Sequence, residues 1–244
     1  MSGSFATQMK LATSYPSTTH TDTSPSKSGD RRRDLVELAV GYTLILIVIW
    51  TPRPWQRWIY FVAAGFILAT TWISFPGWSA MGFRTTRFAQ SIWLAGVALV
   101  IAAAEVYIAG RLRTLHAPIG LSTFLHRYWG YVLFACIQQF LLQDFFLLRL
   151  TRLIRNPAHA AFVAAGVFAL AHLPNPILTV ATFVWGLTAC LFFLLYRNLY
   201  PLFLAHSILG IALAVSVPGP VIHNMRVGLS YLTYHAYPGY HRSH

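Results

Sequence analysis

Apolar residues run along this chain in blocks, at 35–50, 58–75, 91–110, 128–148, 158–173, 177–196 and 201–217. A helix needs about 20 mainly apolar residues to cross the hydrocarbon core of a bilayer. Several blocks reach that length, so the pattern predicts an all-α, polytopic transmembrane helical bundle of about seven to eight helices. Residues 34–217 make up this domain. Residues 1–33, which include "STTHTDTSPSKSGDRRR", are rich in Ser, Thr and Pro, have little to bury, and are expected to be a disordered polar tail. Residues 218–244 are expected to form an aromatic interfacial tail. In it Tyr231, Tyr234, Tyr237 and Tyr240 recur every three residues, and tyrosine favours the membrane–water boundary. A lid over a pocket is the alternative, and His223 counts as a pocket residue only if the tail folds back. The stretch "HAPIGLSTFLHRYWGY" is expected to lie at the interface and lead into the fourth span.

One block is interrupted in a costly way. "QQFLLQDFFLLRL", residues 138–150, places Gln138, Gln139, Gln143 and Asp144 inside an apolar run. Hydrocarbon offers no water to such groups, and each unpaired one costs kcal/mol. At 100° per residue the three glutamines share an arc of about 140°, whereas Asp144 points about 170° from its centre. Asp144 is therefore expected to meet the basic loop, through Arg152 or Arg155. Two histidines are also embedded in apolar segments, His172 in "GVFALAHLPNP" and His206 in "YPLFLAHSILGI". Phe168 and His172 stack at a spacing of four, Asn175 is a turn further on, and His206 stacks with Gly210. Three helices thus carry one polar stripe each. Turning the stripes inward lets amides and imidazoles satisfy one another or hold water in a shared chamber.

The chain has only six acidic residues, and intramembrane acids default to functional candidates. Asp22, Asp30 and Asp34 fall in or beside the tail. Glu37 is expected to be a boundary carboxylate near Arg33. Glu105, in "VIAAAEVYIAG", is expected either to pair with Arg111 or Arg113 or to face a polar interior.

Composition agrees with a membrane protein: 10% of the 244 residues are charged and 56% hydrophobic. A soluble domain averages about 25% charged. The net charge of +12 argues against nucleic acid because the arginines sit between the apolar blocks, at 53 and 57, 84 and 87, 111 and 113, and 149, 152 and 155. That placement suits anionic lipid headgroups, worth roughly 1 kcal/mol per basic group, rather than one clustered basic face. Membrane lipids are the expected partner. Arg31, Arg32 and Arg33 before the first block favour a cytoplasmic amino terminus, and a bacterial cytoplasmic membrane is the expected location. Cys136 and Cys190 read as buried small hydrophobes. No phosphate loop, dinucleotide fingerprint or internal repeat is visible.

The three polar segments resemble, in order and spacing, the motifs of the CAAX protease and bacteriocin-processing (CPBP, or Abi) family of intramembrane proteases. That pattern is Glu-Glu-x-x-x-Arg, then Phe-x-x-x-His, then His-x-x-x-Asn, and the resemblance covers residues 125–217. It implies that Gln138 and Gln139 stand where the family has its two glutamates and Gln143 where it has the arginine. Phe168, His172 and His206 match, and Gly210 replaces the asparagine. In the family a glutamate is understood to activate water for attack on a peptide carbonyl, with histidines and asparagine stabilising the oxyanion. A carboxamide cannot take that proton, and losing a general base removes a factor of about 100 to 10,000. His172, His206 or Glu105 is the candidate substitute. A two-histidine metal site lacks an anionic ligand, so neither metal nor cofactor is expected. The resemblance leaves two functions open. One is an endopeptidase with altered chemistry acting on a membrane-associated polypeptide; the other is a pseudo-protease that binds a polypeptide or lipidated tail without cutting it. The loss of both glutamates together with the arginine leaves no orphan charge, as expected of a retained polar network.

Overall fold

The computed structural model describes residues 27–235. Seven long helices organise the described residues: α1 (Lys27–Trp50), α2 (Arg53–Ile73), α3 (Trp93–Leu112), α4 (Leu121–Leu153), α5 (Pro157–Leu170), α6 (Pro176–Tyr196) and α7 (Tyr200–Ser216). Short helical turns at Phe88–Ser91, Gly219–Ile222, His223–Met225 and Leu229–Leu232 complete them, and no strand occurs among the described residues. The all-α bundle read from the apolar blocks is what forms, each block falling on one long helix. Among the described residues three helices are long and apolar enough to cross a membrane: α3 with its preceding turn, α4 and α6, with mean hydropathies of 2.1, 1.5 and 2.2. Large apolar side chains stay exposed around the bundle, among them Val100 at 71% and Trp72 at 70%. A contiguous apolar surface of this kind requires a lipid or partner environment.

Local sequence sets the helix ends. Prolines open α2, α5, α6 and α7 in their first turns, where the missing N–H has no intrahelical partner to lose. Asn156 and Asn175 cap α5 and α6 by accepting from backbone N–H groups. Pairs form between α5 and α6, α3 and α7, and α1 and α2, while α4 touches α7, α5, α6 and α1 from the middle. Small residues permit the closest approach. Ala160, Ala161, Ala164 and Ala165 of α5 are fully buried, and a Cβ on Gly186 of α6 would lie 3.2 Å from the Phe168 ring.

Two expectations are corrected here. Residues 27–33, placed in the disordered tail, are helical, because Arg33 reaches forward one turn to Glu37 at 2.7 Å and Asp30 sits in the positive first turn. The stretch read as leading into the fourth span does so, its residues from Leu121 onward forming the first turns of α4. Asp144 does not meet Arg152 or Arg155. It is 2% exposed, both its oxygens lack hydrogen-bond donors, and Arg197 is the charge that acts on it. The cause is that α4, π-helical over Leu141–Leu147, is buried on every face along residues 142–150, so a side chain pointing away from the glutamines still lies inside the bundle. Arg152 instead binds Asp34 at 2.5 and 2.8 Å, and buried Arg149 binds Glu37 at 2.8 Å, tying α4 to the start of α1. Residues 1–26 and Tyr237 and Tyr240 lie outside the described residues.

Candidate active site

The polar residues of α4 meet both deep histidines. Gln138 Nε2 lies 3.5 Å from His172 Nε2, and Gln139 Nε2 lies 3.0 Å from His206 Nδ1. Gln143 Nε2 donates to Gln139 Oε1 at 3.2 Å. Gln139 and Gln143 are fully buried, whereas Gln138 is half-buried. The pairs extend across three parts of the fold: α4, the turn that follows α5, and α7. His172 sits just beyond the helix, since α5 ends at Leu170. Both imidazoles pack edge-on against Phe168, with centroids 4.9 and 6.4 Å away.

These partners fix the protons. His172 Nδ1 is 2.8 Å from the Phe168 carbonyl, which only accepts, so Nδ1 carries the hydrogen and Nε2 the lone pair that faces Gln138. In His206 the amide of Gln139 donates to Nδ1, which leaves Nε2 as the N–H. One ring is thus a base toward its open side and the other a donor.

A single chamber was expected; two cavities flank the network instead. The larger, about 910 Å³, reaches Gln138, Phe168 and His172 and has Arg53, Gln56 and Arg57 in its lining. The smaller, about 450 Å³, is lined by Glu105, Tyr131, Trp185, His206 and Gly210. Gln139 lines neither and stands in the wall between them. Within the smaller cavity Gly210, at the position of the family's asparagine, leaves room that the Tyr131 side chain fills. A Cβ on Gly210 would fall on the Tyr131 hydroxyl.

Glu105 does not form an ion pair with Arg111 or Arg113. It faces the smaller cavity, and its Oε2 is buried without a hydrogen-bond partner, as is Trp185 Nε1. Trp185 lies 5.7 Å from the His206 ring. Tyr131 and Trp185 were not singled out from sequence, although Tyr131 precedes Gln138 by two turns and so shares its helix face. Asn175 is not a pocket residue. It is fully buried, caps α6, and donates to the carbonyls of Ile222 and Arg226 at 2.9 and 3.2 Å. Those bonds hold the 218–235 segment against the bundle: Val227 and Ser230 line the larger cavity and Met225 the smaller. His223 stacks on Tyr231 and Tyr234, with centroids 3.9 and 4.9 Å away, rather than entering either cavity. The 218–235 segment therefore folds back as a cover, with Tyr231 and Tyr234 occupied in stacking. Among the described residues no three His, Cys, Asp or Glu side chains converge as a metal site.

A family model described as Type II CAAX prenyl endopeptidase, Rce1-like, matches residues 120–212, from the start of α4 to within α7. The match supports a CAAX protease (CPBP) assignment for the motif-bearing part of the chain, and together with the apolar helices it points to an integral membrane protein. No curated protein and no solved structure matches the chain.

Proposed function

We propose that this protein is a CAAX-protease-like intramembrane endopeptidase that hydrolyses a peptide bond of a membrane-associated polypeptide, with an active site altered from the family's. The observation that carries this reading is the set of contacts Gln138–His172 and Gln139–His206, made by residues at all three motif positions. A decayed site would have no reason to keep these amides and imidazoles paired inside an apolar bundle, where apolar replacements are tolerated at least as well. The Gln138 amide, which faces the larger cavity, holds a substrate backbone, and the proton acceptor is a group other than glutamine, His172 or Glu105. The larger cavity receives the apolar part of the substrate, with Arg53 and Arg57 near any carboxylate or phosphate it carries.

The second reading is a pseudo-protease that binds the same class of polypeptide. It is favoured by one feature, the absence of a carboxylate at both Gln138 and Gln139. An internally quenched, lipid-anchored peptide in liposomes separates the two. Turnover by the native protein that falls at least tenfold in His206→Ala and His172→Ala supports the endopeptidase. Binding of the peptide with no turnover establishes the non-cutting reading.

A further inference from the structure

We infer that the reaction centre lies in the smaller cavity, where Glu105 serves as the general base and Tyr131 as the oxyanion donor, two residues outside all three family motifs. This inference rests on the endopeptidase reading and names the groups that perform its chemistry.

The cavity collects the complementary groups that amide hydrolysis needs. Three N–H or O–H donors surround it, Tyr131 Oη, Trp185 Nε1 and His206 Nε2, and one carboxylate, Glu105, completes the set. His206 cannot be the base, because Gln139 occupies its lone pair at Nδ1 and leaves it a donor toward this cavity. His172 opens on the other side of the wall, where its lone pair faces the Gln138 amide. Glu105 Oε2 and Trp185 Nε1 are buried and unpartnered, so an acceptor and a donor both await a ligand inside an apolar enclosure. The Tyr131 hydroxyl occupies the place over Gly210 that an asparagine side chain would take. The loss of one donor and the arrival of another are therefore two sides of one substitution.

In the reaction Glu105 removes a proton from water while the water oxygen bonds to the peptide carbonyl carbon. The carbonyl π pair moves onto oxygen, where Tyr131 O–H and His206 Nε2–H stabilise it. Collapse of this intermediate restores the carbonyl and breaks the C–N bond, and the leaving nitrogen takes the proton held by Glu105. The products are a carboxylic acid and an amine, and no other reactant is needed.

The test uses the full-length protein in liposomes with the quenched, lipid-anchored peptide. Tyr131→Phe, which removes only an oxygen, is expected to lower kcat by about 10² to 10³ with KM and melting temperature unchanged. Glu105→Gln is expected to lower it by about 10² to 10⁴. Tyr107→Phe, a lipid-facing tyrosine on the same helix as Glu105 and 68% exposed, is the control and stays at the native rate. Native turnover in both Tyr131→Phe and Glu105→Gln overturns the assignment while leaving the endopeptidase standing. No turnover in the native protein overturns both. Should Tyr131→Phe also lower the melting temperature, the pair Tyr131→Ala and Tyr131→Ala/Gly210→Asn decides. Turnover regained in the double variant supports the donor role, and equal loss in both refutes it.

Discussion

At the residue scale, the informative group is Gln139, since its two ends are tied to different partners. Its amide nitrogen meets His206 and its oxygen accepts from Gln143. Restoring the family's carboxylate alone, as Gln139→Glu, puts an anion at a fully buried position whose neighbour at 143 is neutral. A buried charge lacking its partner costs about 3–5 kcal/mol, and Gln139→Glu is expected to lose most of that. Gln139→Glu/Gln143→Arg should recover at least half, because the pair neutralises itself. Denaturation in detergent measures the cycle. Additivity of the two single changes would show that positions 139 and 143 do not act as a unit. The concerted loss of both signs is visible in the letters, because charge can be counted without coordinates. The Tyr131 hydroxyl over Gly210 is not, because nothing in a linear string says which side chain fills a space left one helix away.

At the element scale, the seven long helices were legible because each is one apolar run closed by proline, asparagine or a basic turn. What escaped was the inside of α4. Projection at 100° per residue held for all three glutamines, but the opposite face, expected to reach the basic loop through Asp144, is buried too because residues 142–150 are enclosed on every side. The same helix carries the ion pairs that seat it, and they differ in weight. Glu37 shares Arg149, a guanidinium 2% exposed that also lies 4.3 Å over the Phe145 ring. Asp34 holds Arg152, whose side chain is 44% exposed. Glu37→Ala strands a buried cation and is expected to cost about 3–5 kcal/mol. Asp34→Ala releases an arginine already half in solvent and should cost about 1 kcal/mol or less. Unfolding midpoints in detergent rank the two, and equal losses would contradict the burial argument. Asp34 had been grouped with the polar tail; its role appeared only once the helix was seen to begin upstream of Arg33.

At the scale of the whole molecule, a wall of buried amides divides the interior into two rooms of unequal size and character. If the larger room receives the apolar part of the substrate and the smaller holds the reacting bond, narrowing each should change a different kinetic constant. Ala64→Phe places a ring in the larger cavity, some distance from the glutamines, and removes contacts that substrate and transition state share. Its expected effect is a KM raised about tenfold with kcat kept, the signature of lost uniform binding. Leu209→Trp narrows the smaller cavity beside Gly210 and disturbs the place where the tetrahedral carbon forms. That change is expected to lower kcat about tenfold or more with KM little altered, since only the transition state needs the lost space. Steady-state kinetics on the liposome-bound peptide reads both constants in one experiment. A kcat effect from Ala64→Phe together with a KM effect from Leu209→Trp would exchange the roles of the two rooms and move the reaction to the side of His172. The folded-back 218–235 segment touches both rooms, so its tether at Asn175 holds the cover in place over either choice.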